Sequence, residues 1–238
     1  MFRDMASRRI RIRRFRLLSA LFALVSLMSY IRPAFSADKY KDEQTLRDAA
    51  HVLDEMFKGG SIPPDLFSKA ECVIVMPNVK KFSFGVGGTG GRGPMTCRQG
   101  TNFNGHWSAP AMYTIGGASV GFQLGGSSTD FVLLVMDRKG LDAILKGKTK
   151  LGREATAAAG PGATEHSAAG GDILTYARAK GLFAGVSLGG ASIEADDSAN
   201  ERIYGQSVAA ADILRKNAVK TTDAGQPLIS LLNGKQSR

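Results

Sequence analysis

Two short serine motifs in this sequence have the spacing of a hydrolase nucleophile. Gly117–Gly121 and Gly185–Gly189 both read G-x-S-x-G, with Ser119 and Ser187 at the central positions. In hydrolases of this kind, a strand turns sharply into a helix, which exposes the serine beside an oxyanion hole. Here apolar residues continue at every second position past each serine, which predicts a strand that runs on. A serine in the middle of a strand has no oxyanion hole from a helix start.

The histidines limit the hydrolase interpretation further. Hydrolases with this motif place the catalytic histidine after the serine, and no histidine follows Ser187. His166 does follow Ser119, so a serine hydrolase acting through Ser119 stays as a remote alternative. The three histidines, His51, His106 and His166, show no metal-ligand spacing, and we interpret them as surface residues. We predict no catalytic residues and no metal site.

Two glycine motifs match the residue pattern of nucleotide-binding loops but lack the surrounding features that such loops require. Gly85–Gly90 satisfies G-x-G-x-x-G, but Gly91–Pro94 (GRGP) cannot open the helix on which a pyrophosphate would lie. Gly147–Thr149 (GKT) resembles the end of a phosphate loop, but the preceding glycine, Gly140, lies two residues too far away. We predict no cofactor.

The positive charge is concentrated at the N-terminus. The formal net charge is +10, yet the first 36 residues hold eight arginines and one acidic residue, which leaves 23 basic and 20 acidic residues elsewhere. This distribution argues against nucleic acid as a partner. These first 36 residues have the features of an export signal: a basic stretch that ends at Arg16, the apolar run Leu17–Ile31, and small residues at Ala34 and Ser36.

The length of the apolar run favours cleavage over anchoring. It has 15 residues, fewer than the ~20 that span a bilayer, so we expect cleavage after Ser36, with a retained anchor as the alternative. The protein is expected to be periplasmic or secreted, with membrane association left open. Paired arginines leave both the general and the twin-arginine export routes open.

The two cysteines, Cys72 and Cys97, both belong to the exported part. Two cysteines in an oxidising compartment are more often paired than free, which favours a disulfide; two separate buried thiols are the alternative. The run Cys72–Met76 predicts a buried strand closed by Pro77. Apolar residues alternate in Phe82–Val86, a glycine-rich turn follows, and the chain returns at Met95–Arg98. This pattern predicts a hairpin that could bring Cys97 back beside Cys72.

Glycine-rich alternating segments predict the rest of the sheet. Gly117–Ser128 and Gly181–Ser192 are near-copies with apolar residues at every second position, typical of strands, and glycines in strands accompany bends or close backbone approach. We predict two strongly bent strands there. Phe131–Met136 predicts a central strand, and Asp172–Ala179 predicts a hairpin with the second copy around Lys180-Gly181.

Helices flank this sheet. Tyr40–Lys58 has apolar residues at helical spacing and a largely acidic opposite face, which favours a helix packed on the core over one lying on a membrane, although membrane contact is left open. We predict two closing helices, at Asp197–Tyr204 and Ser207–Lys216. Residues 219–238 are predicted to form a polar, loosely held tail. The predicted fold class is α+β, with a strongly curved, glycine-rich, mainly antiparallel sheet or partial barrel.

Four blocks of the sequence resemble the SYLF domain, also called the actin-regulator, Las-seventeen-binding type. They are Ala70–Gly93, Gly116–Met136, Ala157–Glu165 and Ile173–Asp196, and they occur in the order of the family. The resemblance covers roughly Asp42 to Lys216. Together with the export signal at 1–36 and the polar tail at 219–238, it predicts a SYLF-like lipid-binding domain at 37–218. The implied α+β fold with a curved sheet agrees with the patterns above.

The resemblance implies a non-enzymatic lipid-binding domain. Eukaryotic members bind phosphoinositides and bind or bundle actin, but an exported protein would not meet actin, so we expect membrane phospholipids, and anionic ones, as partners. Two matching positions supply candidate head-group ligands, Lys80-Lys81 and Arg178 with Lys180, which we expect to form a basic rim; solvated turn residues are the alternative. A second hypothesis is an envelope structural or protein-interaction module that uses the glycine-rich sheet.

Overall fold

The computed structural model describes residues 36–84, 86–100, 102–120, 125–147, 149–151, 156–158, 173–179, 182–185 and 191–236. The chain divides into two compact units, Met1–Lys41 and Asp42–Arg238. The described part of the first unit is helical, at the start of helix α1 (36–58). The architecture below belongs to the second unit.

The second unit is built on one open, mainly antiparallel sheet, as predicted. Its nine strands pair in the order β5-β9-β3-β2-β1-β4-β7-β6, with β8 added to β7, and only the β6–β7 pair is parallel among the described strands. The ends of this order do not meet, so the sheet is not a closed barrel. The strands are β1 (Cys72–Phe84), β2 (Val86–Cys97), β3 (Ala111–Val120), β4 (Gly125–Val135), β5 (Thr149–Lys150), β6 (Thr156–Ala158), β7 (Ile173–Ala179), β8 (Leu182–Gly185) and β9 (Ser192–Ala195).

Strand β1 begins with the predicted buried run but does not stop at Pro77. Met76 lies opposite Phe131 and Val79 opposite Thr129, so two residues of β1 face one of β4, which is a β-bulge. Asn78 adopts a positive φ of 54°, and its N–H donates to Asp130 Oδ1 at 2.8 Å. The bulge accommodates the proline, which has no N–H for the ladder, and bends the sheet.

The glycine run expected to form a turn is instead strand β2. Its register with β1 runs from Cys72 opposite Cys97 to Phe84 opposite Val86, which moves the hairpin turn to the end of β1. Cys72 and Cys97 form a disulfide with Cα atoms 4.0 Å apart, which confirms the pairing. Glycine is needed for close approach: a Cβ on Gly93 would lie 1.9 Å from the carbonyl oxygen of Val75.

The two near-copies are not single bent strands, contrary to the prediction. The first spans the end of β3 and the start of β4, which pair with different neighbours; residues 121–124 lie outside the described part. The second likewise contains β8 and the start of β9. Period-two patterning marks each strand but carries no information on where the chain changes position in the sheet. The hairpin of β7 and β8 is confirmed, with Ala179 opposite Leu182.

Helices cover both faces of the sheet. One face packs α1, α2 (Pro64–Lys69) and α6 (Gln226–Gln236); the other packs α3 (Arg138–Leu145) and α5 (Ala210–Lys216). Helix α4 (Asp197–Tyr204) packs near β3. Helix α1 buries Leu53 and Met56, as predicted from its apolar face. None of the described helices has the length and apolar character that a bilayer span requires.

The prediction of a loosely held tail is wrong for the segment that forms α6. Leu228, Ile229 and Leu232 of this helix are buried in the same cluster as α1 and α2. Three apolar residues at spacings of one, three and four were too few to stand out among polar neighbours in the sequence. Only the packing against α1 and α2 shows that the segment belongs to the core.

Candidate functional site

The predicted basic rim falls on strands β1 and β7. Lys80 is exposed in β1, opposite Gly90 of β2 and Ser128 of β4. The backbone of Lys81 continues β1, but its side chain lies outside the described part, and so does the whole of Lys180. The structure therefore describes the side chains of two of the four predicted ligands, Lys80 and Arg178.

Arg178 is held by two carboxylates. Its guanidinium lies 2.9 Å from Asp130 Oδ2 on the neighbouring strand and also forms an ion pair with Glu55 of α1. Only 20% of its side chain is exposed. Positive charge compensated in this way is poorly suited to attract a lipid phosphate, so Arg178 serves here to join α1 to the sheet. The predicted grouping with Lys80 overlooked these carboxylates because both are distant in the chain.

Lys80 lies at a cleft between α1 and the sheet. The cleft has a volume of about 350 Å³, and six of its nine lining residues have polar or charged side chains. Thr45 and Asp48 of α1 form one wall, and the β1 bulge forms another. Gly90, opposite Lys80, would meet nothing within 4 Å if it carried a Cβ, so the absence of a side chain leaves this space open. The cleft can admit a polar group the size of a phosphate and a few attached atoms.

Arg92 is a second cation of the cleft, and sequence reasoning missed it. It lies 2.7 Å from the carboxylate of Asp42, which is fully buried and also lies 2.6 Å from Arg202 Nε. Arg92 lies 4.0 Å from Asp196 as well. These ion pairs join α1, β2 and α4. Arg92 lies in the glycine run that was interpreted as a turn. In a strand, Gly90 and Arg92 are two residues apart and therefore share one face, and this spacing was the signal that the sequence analysis overlooked.

The hydrolase alternative has no support in the described backbone. Ser119 lies within β3, opposite Gly87 of β2, and the strand does not turn into a helix at this residue. Ser187 and His166 lie outside the described part. Among the described residues, no group of three or more histidine, cysteine, aspartate or glutamate side chains could hold a metal ion.

Fold and cleft together define a class of protein: an α+β domain with a glycine-rich antiparallel sheet and a polar cleft beside its first helix. A family model described as "Ysc84: Las17-binding protein actin regulator" matches residues 116–235. The chain belongs to this family, which is the SYLF family of the sequence prediction. The match includes α6, in agreement with its packing.

Curated relatives extend the match to most of the chain. An SH3 domain-containing protein of Schizosaccharomyces pombe is 33% identical over 182 residues, which cover 73% of this chain and 41% of that protein. SH3 domain-containing YSC84-like protein 1 of Xenopus laevis is 33% identical over 195 residues, covering 75% and 56%. LAS seventeen-binding protein 3 of Saccharomyces cerevisiae is 31% identical over 182 residues, covering 73% and 39%. The chain thus spans about half or less of each of these relatives.

Proposed function

We propose that this protein binds anionic phospholipid head groups at an envelope membrane surface, with Lys80 at the point of contact. The observation that carries the proposal is the exposed Lys80 side chain beside a polar cleft of about 350 Å³. A cation near an anionic membrane contributes ~1 kcal/mol to binding, and salt screens that contribution. Arg92 adds a guanidinium as the second cation of the lining, although its charge is shared with Asp42.

Family membership is consistent with this function without defining it. The name of the yeast relative refers to binding LAS seventeen, and that activity is a property of that protein. This chain carries a predicted export signal, so we do not propose actin or an actin regulator as its partner. Lipid head groups are available at an envelope surface, and their phosphates carry the charge that the exposed Lys80 attracts.

Co-sedimentation with liposomes tests the proposal. We would express the full chain, use the protein recovered, and compare anionic with zwitterionic vesicles at low and high salt. We expect salt-sensitive binding to anionic vesicles. Lys80→Glu should weaken that binding by at least about fivefold, since reversal removes one favourable charge and adds a repulsive one.

The matched control is Lys220→Glu, which reverses an exposed lysine in the loop before α6. It changes the net charge equally but should leave vesicle binding nearly unchanged. Equal losses in the two variants would show that only net charge matters, and the Lys80 site would be rejected. No binding to either vesicle would favour the second hypothesis, a protein-interaction module.

Arg178 provides a further comparison. We expect Arg178→Met to weaken folding by removing the shared partner of Glu55 and Asp130, with little effect on the salt-sensitive part of lipid binding. If Arg178→Met stayed folded but lost anionic-vesicle binding as strongly as Lys80→Glu, Arg178 would belong to the basic rim after all.

A further inference from the structure

The lining of the Lys80 cleft has two cations, but only one of them is free to bind a ligand. Arg92 lies 2.7 Å from the buried carboxylate of Asp42 and 4.0 Å from that of Asp196, so its charge is already compensated. Lys80 is exposed, and none of the ion pairs among the described residues includes it. The cleft therefore has one uncompensated positive charge, which suits a ligand with one negative charge.

Asp48 is the acidic residue of this lining, and it lies on the α1 wall. Its side chain is exposed, and the side-chain amide of Gln44, one turn earlier in the helix, donates to its Oδ1 at 2.9 Å. No cation among the described residues pairs with Asp48. Its Oδ2 is thus available to accept a hydrogen bond from a ligand, whereas the same carboxylate repels a ligand's negative charge.

The rest of the polar lining is uncharged. Thr45 lies on α1 with Asp48, Asn78 lies at the β1 bulge, and Thr114 lies in β3 opposite Arg92. Hydroxyl and amide side chains can both donate and accept hydrogen bonds. Ligand hydroxyls do the same, so this part of the cleft suits a hydroxylated ligand better than a second charged group.

We propose that the lipid bound under the membrane function proposed above, on which this assignment rests, is a phosphodiester with one negative charge and an uncharged diol, as in a glycerol head group. The phosphate pairs with Lys80, and the diol donates to Asp48. Asp48 is then the residue that determines specificity. A second phosphate on the head group would approach this carboxylate instead of a cation, so a singly charged head group is preferred.

Two lipids that differ only in two hydroxyls test the assignment. Phosphatidylglycerol and phosphatidylpropanol are both phosphodiesters with a single negative charge and a three-carbon head group, but only the first has a diol. Each is mixed at the same mole fraction with phosphatidylcholine, which makes the surface charge of the vesicles equal. The protein recovered from expression of the full chain should bind the phosphatidylglycerol vesicles at least about fivefold more tightly, as hydrogen bonds to a charged acceptor predict.

Asp48→Ala should abolish this preference. The two kinds of vesicle should then bind equally, and binding to phosphatidylpropanol should not weaken, because the variant loses a repulsive charge. The position is exposed on a helix, where alanine is favourable, so the variant should fold normally, as circular dichroism would show.

The matched control is Asp54→Ala, which removes the same charge from α1. Asp54 pairs with Lys58 and is not among the described residues that line the cleft, so the fivefold preference should remain. Equal loss of the preference in Asp48→Ala and Asp54→Ala would overturn the assignment. Vesicles with phosphatidylinositol 4-phosphate, matched for total charge, should bind no more tightly than those with phosphatidylglycerol. Tighter binding would overturn the preference for a single charge.

The same measurements separate the choice of lipid from the membrane function itself. Lys80→Glu should weaken binding to both lipids. If the natural protein bound both equally and with the same sensitivity to salt, the membrane function would stand and the diol assignment would be overturned. If it bound neither, both proposals would be overturned.

Glycerophosphoglycerol distinguishes a lipid ligand from a soluble one, because it has the same phosphodiester and diol without acyl chains. If an excess displaces the protein from phosphatidylglycerol vesicles, the cleft also takes the free diester. If the preference between the two lipids is present without displacement, the cleft takes the diol only from a bilayer. Either result supports the diol site.

Discussion

The buried carboxylate of Asp42 lies 2.6 Å from Nε of Arg202, although 160 residues separate the two in the chain. Arg92 approaches the same carboxylate at 2.7 Å. One acidic residue of α1 thereby fixes the helix to β2 and to α4, next to the cleft that contains Lys80. The position of α1, and with it one wall of the cleft, depends on this cluster of charges.

Asp42→Asn should therefore destabilise the protein strongly. The substitution leaves two partly buried guanidiniums without their shared counter-charge, and loss of one partner from such a cluster is expected to lower the free energy of unfolding by about 3 kcal/mol. Urea denaturation at neutral pH measures the change. The control is Asp54→Asn, which removes an exposed ion pair with Lys58 and should change stability by less than about 0.5 kcal/mol. Similar effects of the two substitutions would contradict a structural role for Asp42.

Removing the disulfide should also lower stability. The Cys72–Cys97 link closes a segment with a sequence separation of 25, for which the chain-entropy estimate is about 3.5 kcal/mol. We expect the double variant Cys72→Ala/Cys97→Ala to unfold at lower urea than the oxidised protein. Added reductant should reduce the stability of the natural protein and have no effect on the double variant. If reductant left the natural protein unchanged under conditions that cleave the bond, this contribution would be refuted.

Two glycines of β2, Gly90 and Gly93, should respond differently to replacement by alanine. At Gly93 an added Cβ would lie 1.9 Å from the Val75 carbonyl oxygen, so the hairpin would have to separate beside its bulge. We expect Gly93→Ala to lower the free energy of unfolding by at least about 2 kcal/mol, as overpacking does. At Gly90 there is open space, and alanine there should be neutral or stabilise the strand by about 0.5 kcal/mol. Thermal and urea unfolding of the pair would test this, and equal effects would argue against the close approach.

Buried tyrosines should make the protein sensitive to alkali. Burial raises the pKa of Tyr176 to about 12 and raises the pKa values of Tyr113 and Tyr204 further. An unfolded tyrosine ionises near pH ~10, so the unfolded state loses these protons first. The stabilising contribution is complete below that pH and is lost as pH rises toward the folded pKa values.

The phenolate absorbance measures this effect directly. We expect Tyr113, Tyr176 and Tyr204 to ionise late, together with alkaline unfolding, and Tyr176→Phe to remove one of that group. Ionisation of all tyrosines in a single step near their ordinary pKa, with the fold intact, would contradict the burial of these phenols.

Local sequence patterns were sufficient for the types of element but not for their arrangement. The apolar runs at the starts of β1 and in β4 are long and rich in β-branched residues, so the strands could be predicted from them alone. The glycine run of β2 was misinterpreted because glycine is favoured both in turns and where backbones approach closely. The structure distinguishes a turn from a close approach: a Cβ on Gly93 would lie 1.9 Å from the carbonyl oxygen of Val75.

The candidate sites show the same division. Lys80 and Arg178 were both predicted as head-group ligands from positions that match the SYLF blocks. The structure leaves Lys80 exposed, whereas Arg178 is occupied by Glu55 and Asp130. The cleft that contains Lys80 and Arg92 depends on residues brought together from distant parts of the chain. Spacing along a strand or helix cannot indicate which side chains will be opposite one another after strands exchange neighbours.

The sequence by itself determined the α+β class, the principal strands, the amphipathic first helix and the family, and it favoured the pairing of Cys72 with Cys97. These follow from local periodicity, composition and motifs, which act over a few residues. Only the tertiary structure decided the strand order, the burial of α6 and the charge cluster around Asp42. These depend on long-range packing, in which the low polarity of the interior determines which charges must find partners.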